Sequence, residues 1–139
     1  MLRLIVPVLL LLSFPAILLA DSRDVFGTFL TEEQDSHIKI SDCGDGSPCG
    51  TVVWLDPAKL EGSQKPEDIK TKTGDPVLGL LMLQGFERKK QDWRDGTIYA
   101  PGKDKTYASR LQRLDDGKLQ VKGCISFFCQ TQIWTPVTD

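Results

Sequence analysis

The sequence predicts an all-β fold, a small antiparallel up-and-down barrel of about eight strands. Three observations support this prediction. Short β-prone segments recur along the chain, tight turns rich in Gly, Asp and Pro separate them, and no long segment has convincing helical periodicity. Successive segments are predicted to pair in sequence order, which favours the up-and-down arrangement. A closed barrel of about eight strands has an interior that side chains just fill, or that holds one small ligand.

Residues 1–20 are predicted to be a secretory signal peptide cleaved near Ala20. Arg3 supplies a positive charge, the following residues are almost wholly apolar, and the small Ala20 precedes the acidic Asp21. An uncleaved membrane anchor is the alternative, but the apolar run is short, contains prolines and has no basic stop after it. Residues 21–139 are then expected to form a single β-barrel domain, periplasmic or secreted, with no integral membrane span.

The predicted strands are β-prone, alternate between apolar and polar residues, or do both. The segment 77–86 is almost continuously apolar, so it is expected to be buried on both sides or bent at Gly79 and Gly85. Residues 56–75 are polar and too long for a tight turn, so they are predicted to form a surface excursion or lid. The predicted strands are residues 25–30, 37–41, 50–55, 77–86, 93–100, 106–114, 118–124 and 131–137.

Four cysteines in an exported chain indicate two disulfide bonds. Three pairings are possible in principle, but Cys43–Cys49 and Cys124–Cys129 would each close a hairpin. The first pair, taken as directly opposed residues, predicts that Ile40 lies opposite Val52 and Ile38 opposite Trp54, so that the apolar faces coincide.

The segment from Trp93 to Leu114 is predicted to form the central hairpin. If residues 101–105 connect its strands, Tyr99 and Tyr107 face each other and share a surface with Thr97, Ser109 and Leu111. The Asp115-Asp116-Gly117 turn places Leu111 opposite Val121 and Ser109 opposite Gly123. The Cys124–Cys129 pair places Val121 opposite Gln132 and Leu119 opposite Trp134. The residues collected on one predicted inner face are Tyr99, Tyr107, Ser109, Leu111, Leu119, Val121, Gly123, Gln132 and Trp134.

This inner face has the composition of a small-molecule pocket, with apolar walls and a few polar groups. The candidate ligand-binding residues are Trp54, Tyr99, Tyr107 and Trp134 as walls, and Gln132 as an orienting hydrogen-bond partner. A packed core without a ligand has a similar composition, so both interpretations remain open.

Composition and spacing argue against several other classes of site. The formal charge of residues 21–139 is −3 because Arg3 is the only charged residue before them, and no basic stripe predicts nucleic-acid binding. The cysteine spacings are not those of a zinc knuckle, and the single His37 is expected on the solvent face, so no metal or cofactor is predicted. No catalytic motif is present, and the carboxylates beside Trp93 resemble ordinary turn residues, so no enzyme is predicted.

The chain resembles an uncharacterised family of exported bacterial proteins, domain of unknown function 2147. The resemblance implies a small lipocalin-like (calycin-type) β-barrel of the periplasm and supplies no activity. The residues that carry it are Gly27, Phe29, Cys43-Gly44, 49–55, 76–80, 96–101, 105–107, 119–124, Cys129, Gln132 and Trp134-Thr135.

Three residues depart from the family pattern. Asp104 stands where the central loop usually has Gly, so it is expected to adopt a left-handed conformation. Phe29 stands where the family usually has Trp, and Pro136 where a basic residue often follows Trp-Thr, so the usual contact that closes the barrel end is altered.

Two functions are consistent with these features. The first is a periplasmic or secreted binding protein for a small apolar or amphipathic molecule. The second is a structural or interaction module of the cell envelope, with a solid core and a protein partner.

Overall fold

The computed structural model describes residues 12–16 and 21–138. Most of the predicted signal peptide, including its cleavage position, lies outside the described residues. Residues 12–16 have no regular secondary structure. The described residues form nine strands, which are β1 (Gly27–Leu30), β2 (Ser36–Asp42), β3 (Pro48–Leu55), β4 (Leu81–Gln84), β5 (Glu87–Arg88), β6 (Trp93–Ala100), β7 (Lys105–Arg113), β8 (Leu119–Ile125) and β9 (Phe128–Pro136).

The strands form one closed antiparallel barrel. Their order is β4-β3-β2-β1-β9-β8-β7-β6-β5, and an additional pairing of β4 with β6 closes the ring. Eight strands therefore make the barrel wall, while the two-residue β5 extends the sheet beside β6 only. The predicted all-β up-and-down barrel is confirmed, because each wall strand pairs with its neighbours in sequence around the ring.

The connections alternate between the two ends of the barrel, as an up-and-down topology requires. The β1–β2, β3–β4, β6–β7 and β8–β9 connections lie at one end, which we call the open end. The β2–β3, β4–β6 and β7–β8 connections and the N-terminal segment 21–26 lie at the other, the closed end. The β3–β4 connection is the long excursion, and it contains two short 3-10 helices, Pro57–Lys59 and Pro66–Asp68.

The closed end is covered by the N-terminal segment. The backbone N–H of Arg113 donates to the carbonyl of Ser22 over 2.7 Å, and the indole Nε1 of Trp93 donates to the carbonyl of Arg23 over 2.8 Å. The guanidinium of Arg113 also lies 4.9 Å above the ring centroid of the buried Phe29. A basic side chain therefore covers the aromatic ring of the first strand, but it comes from β7 and not from the position after Trp134-Thr135.

The registers predicted for β7, β8 and β9 are confirmed. Leu111 pairs with Val121 and Ser109 with Gly123 across β7 and β8, and Gln132 and Trp134 on β9 pair with β8 residues as expected. Both predicted disulfides are present, and Cys124 lies directly opposite Cys129.

The register predicted for β2 and β3 is wrong by two residues. Cys49 pairs with Ser41, and Cys43 lies just beyond the end of β2. The cause is a wide turn, in which the Asp42 carboxylate accepts hydrogen bonds from the backbone N–H groups of Gly44 and Gly46. The disulfide therefore links two cysteines that are not directly opposed, with their Cα atoms 5.1 Å apart.

A β-bulge changes the direction of Trp54. Ile38 pairs with Val52 while the adjacent His37 pairs with Trp54, so β3 has one extra residue, Val53. Val52 remains buried inside the barrel. Beyond the bulge the alternation is reversed, and Trp54 lies beside His37, with the two ring centroids 4.2 Å apart.

The predicted pairing of Tyr99 with Tyr107 is also wrong. The β6–β7 turn is one residue shorter than expected, because Lys105 still pairs with Ala100, and so Tyr107 pairs with Ile98. Asp104 has a φ of 49°, as the departure from the family pattern suggested. A shift of one residue moves Tyr99 to the other face of its strand.

The apolar run 77–86 is not one strand. Residues 77–80 form a turn before the short β4, and Gly79 and Gly85 have φ values of 85° and 81°, so the expected bends at both glycines are present. Leu81 is exposed, which shows that β4 is not buried on both sides.

Candidate functional site

The barrel contains a cavity of about 990 Å³ at its open end. Its lining reaches exposed residues of the connections at that end, such as Lys103 and Phe128, so the cavity opens to solvent between them. This volume is at the upper end of the range typical of small-molecule pockets. The principal inner-wall residues are Val52, Leu55, Met82, Ile98, Tyr107, Val121, Gly123, Gln132 and Trp134.

The wall formed by β8 and β9 carries a polar group that is held in place by a side-chain hydrogen bond. Gln132 and Trp134 lie two residues apart on β9, so they project to the same face. Trp134 is buried, and its Nε1 donates a 2.8 Å hydrogen bond to Oε1 of Gln132. The indole is thereby satisfied by a local partner, and the Gln132 amide is fixed with Nε2 as the donor that a ligand could use.

Tyr107 lines the cavity from β7, and Ile98 lies opposite it on β6. Below this pair lie Gly96 and Ser109, which are buried and do not line the cavity. The ring of Phe86 occupies the space in front of Gly96. On the β6–β7 side, the cavity floor therefore lies between these two residue pairs.

Tyr99 contributes to the cavity only at its mouth. Its hydroxyl donates a 2.6 Å hydrogen bond to Oδ1 of Asp104 within the same hairpin turn. This hydrogen bond, together with partial desolvation and the negative charges of Asp104 and Asp75, raises the pKa of Tyr99. The phenol is therefore held neutral, as a rim group that already has a hydrogen-bond partner.

Trp54 does not line the cavity, because the bulge at Val53 places its ring against His37. Of the five candidate ligand-binding residues, the structure thus brings Tyr107, Gln132 and Trp134 together on the inner wall. Tyr99 lies at the rim, and the placement expected for Trp54 is wrong.

The long excursion contributes directly to one side of the cavity mouth. It folds back on itself, with the N–H of Val77 donating to the carbonyl of Ile69 over 3.0 Å, and both side chains line the cavity. Lys59 in the first 3-10 helix donates a 2.6 Å hydrogen bond to the carbonyl of Glu33 in the β1–β2 turn. The first contact holds the excursion together, and the second attaches it to the rim of the barrel.

Several cavity residues were not among the sequence candidates. The alternation along β6 would have identified Ile98 if the predicted β6–β7 turn had been one residue shorter. Val77 lies in the apolar run 77–86, which was predicted to be one strand. Nothing in that run shows that Val77 belongs to the turn before β4 and lines the cavity from there. Met82 lies on β4 within the same apolar run, which does not single it out, and Ile69 gives no sequence signal, because its position depends on how the excursion folds over the rim.

The profile of the family described as "Uncharacterized protein conserved in bacteria (DUF2147)" matches residues 27–136, which is most of the chain. The chain belongs to this family. The resemblance inferred from the sequence is therefore confirmed. No curated protein matches the chain.

One solved structure establishes the likeness of the fold. It is described as "Protein HP1028 from the human pathogen Helicobacter pylori belongs to the lipocalin family". The TM-score is 0.65 at 16% sequence identity, over 84% of this chain and 85% of that chain. At this identity the similarity concerns the fold alone, and it confirms the lipocalin-like barrel.

The structure and the family support coarser statements about function and location. A lipocalin-like barrel is compatible with a small ligand, and two disulfides in a family conserved in bacteria are consistent with an exported protein. Within residues 12–16 and 21–138, no group of three or more His, Cys, Asp or Glu residues is placed to hold a metal ion. In the same residues, no helix has the length and apolar character needed to cross a membrane.

Proposed function

We propose that this protein is a periplasmic or secreted binding protein that holds a small apolar or amphipathic molecule inside the barrel. The observation that carries the proposal is the cavity of about 990 Å³ at the open end. The alternative function, an envelope module with a solid core, does not require such a cavity. The cavity has a volume that suits a small organic ligand.

The chemistry of the lining supports an apolar or amphipathic ligand. Val52, Val121 and Ile98 provide aliphatic surface, and the buried Trp134 adds an aromatic wall. The amide Nε2 of Gln132 is the polar group best placed to orient a ligand, because its Oε1 is already used by Trp134. A ligand with an apolar body and one hydrogen-bond acceptor would match this arrangement.

Gly123 offers a direct test. A Cβ at this position would lie 3.6 Å from Cγ2 of Ile98 and 3.8 Å from Cβ of Tyr107, which are ordinary contacts. Gly123→Leu would therefore project an isobutyl group into the cavity without a clash at its base. We expect it to weaken binding of the apolar fluorescent probe N-phenyl-1-naphthylamine by at least about tenfold, because probe and side chain compete for the same space.

The matched control is Val53→Leu, which adds apolar volume at an exposed position of the barrel wall. It should leave probe affinity unchanged, and circular dichroism should show that both variants are folded. Equal probe affinity in the wild-type protein and Gly123→Leu would refute binding inside the barrel. If Gly123→Leu weakens probe binding as expected, native mass spectrometry of wild-type protein purified without denaturation can detect a natural ligand by its added mass.

A further inference from the structure

The β8–β9 hairpin ends in an exposed apolar tip, residues 125–128. Ile125, Phe127 and Phe128 have side chains that are 63%, 97% and 84% exposed. Ser126, with a φ of 54°, allows the two-residue turn between Ile125 and Phe128. Phenylalanine side chains on a soluble surface leave a large apolar area in water, which is unfavourable unless something covers it.

The apolar tip is held away from the barrel by covalent structure. The Cys124–Cys129 disulfide joins β8 and β9 directly below the final residue pair, Ile125 and Phe128. Phe127 is therefore only a few residues from a cross-link on either side, so it has little freedom to fold back and bury its ring. The exposure is a consequence of the hairpin architecture itself.

The tip lies at the mouth of the cavity. Ile125 and Phe128 contribute to the cavity lining, whereas Phe127 projects beyond it. The apolar surface of the tip is thus continuous with the apolar interior of the barrel.

We propose that the apolar tip inserts into the interfacial region of a lipid bilayer and so brings the cavity mouth to the membrane surface. The area of the tip favours a membrane over a protein partner. A stable protein interface buries about 800 Å² on each partner, whereas three side chains at a convex tip offer roughly half of that. A deformable lipid surface accepts a narrow protrusion, and aromatic side chains are favoured at that depth.

Insertion of the rings is the driving force of this docking, and electrostatic attraction is not. The full chain has a formal charge of −2, and the rim around the tip carries carboxylates such as Glu33 as well as lysines such as Lys103. Docking is accordingly expected on neutral phosphatidylcholine and should depend little on salt. The inference goes beyond the proposed function. Docking itself does not depend on that function, but its suggested role, the transfer of an apolar ligand between membrane and cavity, rests on it.

The test is flotation of the purified protein with phosphatidylcholine vesicles in excess lipid. We expect reversible binding by the wild-type protein, weakened about tenfold by Phe127→Ser and more strongly by the double variant Phe127→Ser/Phe128→Ser. The matched control is Val53→Ser/Leu81→Ser, which removes two exposed apolar side chains from the barrel wall and should bind as the wild type does. All variants share one N terminus, so any effect of that segment cancels.

Absence of vesicle binding by the wild-type protein would overturn the inference, and so would equal binding by the wild type and the double variant. Self-association that depends on Phe127, seen by sedimentation velocity without lipid binding, would also overturn it, since a second copy would then cover the tip. Phe127→Ser alters no cavity-lining residue, so it should leave the affinity for N-phenyl-1-naphthylamine unchanged. Probe binding without vesicle binding therefore refutes docking alone, and vesicle binding without probe binding refutes the proposed function alone.

Discussion

Gly96 is the position at which the packing beneath the cavity can be tested most directly. A Cβ added there would lie 2.5 Å from Cγ of Phe86 and closer still to Cδ1 and Cε1 of the same ring. Phe86 is itself buried in the barrel core, so the ring cannot move away without displacing its neighbours. Gly96→Ala is therefore expected to destabilise the fold by overpacking.

The magnitude can be isolated with a second glycine. Gly96 and Gly123 both pair with Ser109, one from β6 and one from β8, and neither has a positive φ. Replacing either by Ala should give the same gain of about 0.4–1 kcal/mol through the unfolded chain. Only Gly96→Ala adds the steric cost of about 1–3 kcal/mol, so the difference between the two variants measures that cost.

Urea unfolding with both disulfides intact, followed by tryptophan fluorescence, provides the measurement. Because the urea m-value of a small protein is about 1–3 kcal/mol/M, the midpoint of Gly96→Ala should lie on the order of 1 M below that of Gly123→Ala. In a double-mutant cycle, Gly96→Ala should cost less on a Phe86→Ala background than in the wild type, since Phe86→Ala removes the ring atoms that the methyl group meets.

Equal midpoints for Gly96→Ala and Gly123→Ala would refute this reasoning. The ring of Phe86 would then not cover Gly96, and the cavity floor on this side would have to be formed by other residues. An m-value that changes between the two variants would instead indicate an altered unfolded or native state.

Two further predictions concern single polar groups. Ser109 is 1% exposed, and its Oγ has no hydrogen-bond partner in the described part of the chain. Ser109→Ala should therefore raise the free energy of unfolding by about 1 kcal/mol, which urea unfolding can measure. A loss of stability would instead indicate a buried water that the hydroxyl binds. Asp104→Asn should lower the pKa of Tyr99, because the carboxylate accepts the phenol's hydrogen bond and disfavours the phenolate. A folded pKa raised above about 10 adds stability that is fully present below that pH and is lost as the pH rises through the raised value, so the alkaline loss should shrink in Asp104→Asn. Absorbance titration at ~295 nm can measure this, since the chain has only two tyrosines and Tyr99→Phe assigns the signal.

The sequence predicted the β7–β8–β9 meander in detail because each of its turns is fixed by local chemistry. Gly117, with a φ of 86°, fixes one turn, and the disulfide fixes the other, so the alternation between them had one consistent register. Gln132 and Trp134 were consequently placed on the correct wall. Where a turn is set by residues of unambiguous conformation, period-2 alternation is sufficient to identify the inner face.

The errors come from two turns and one bulge: the turn before Cys49 shifts the β2–β3 register by two residues, while the bulge at Val53 and the turn after Ala100 each change a face by a single residue. Val53 carries no sequence signal for a bulge, so the reversal that turns Trp54 outward could not be foreseen. β6 contains a further bulge, between Trp93 and Gly96, where Asp95 has a φ of 60°. The Asp95-Gly96 pair was a usable sequence signal for this bulge. The position of Tyr99 depended on whether Lys105 belonged to the turn or to β7.

The existence of the cavity was beyond the reach of alternation, because alternation assigns residues to a face and says nothing about how completely they fill it. The structure shows the reason for the empty space. Large buried side chains, Phe29, Phe86 and Trp93, lie toward the closed end, whereas Val52 and Gly123 line the interior nearer the open end. The same number of strands surrounds both levels, so the three rings fill the barrel at the closed end, whereas the missing side chain at Gly123 and the short one at Val52 leave part of the interior nearer the open end empty. The barrel is thus solid where the N-terminal segment covers it and hollow beneath the apolar tip, which is the arrangement required for a ligand to enter from a membrane surface.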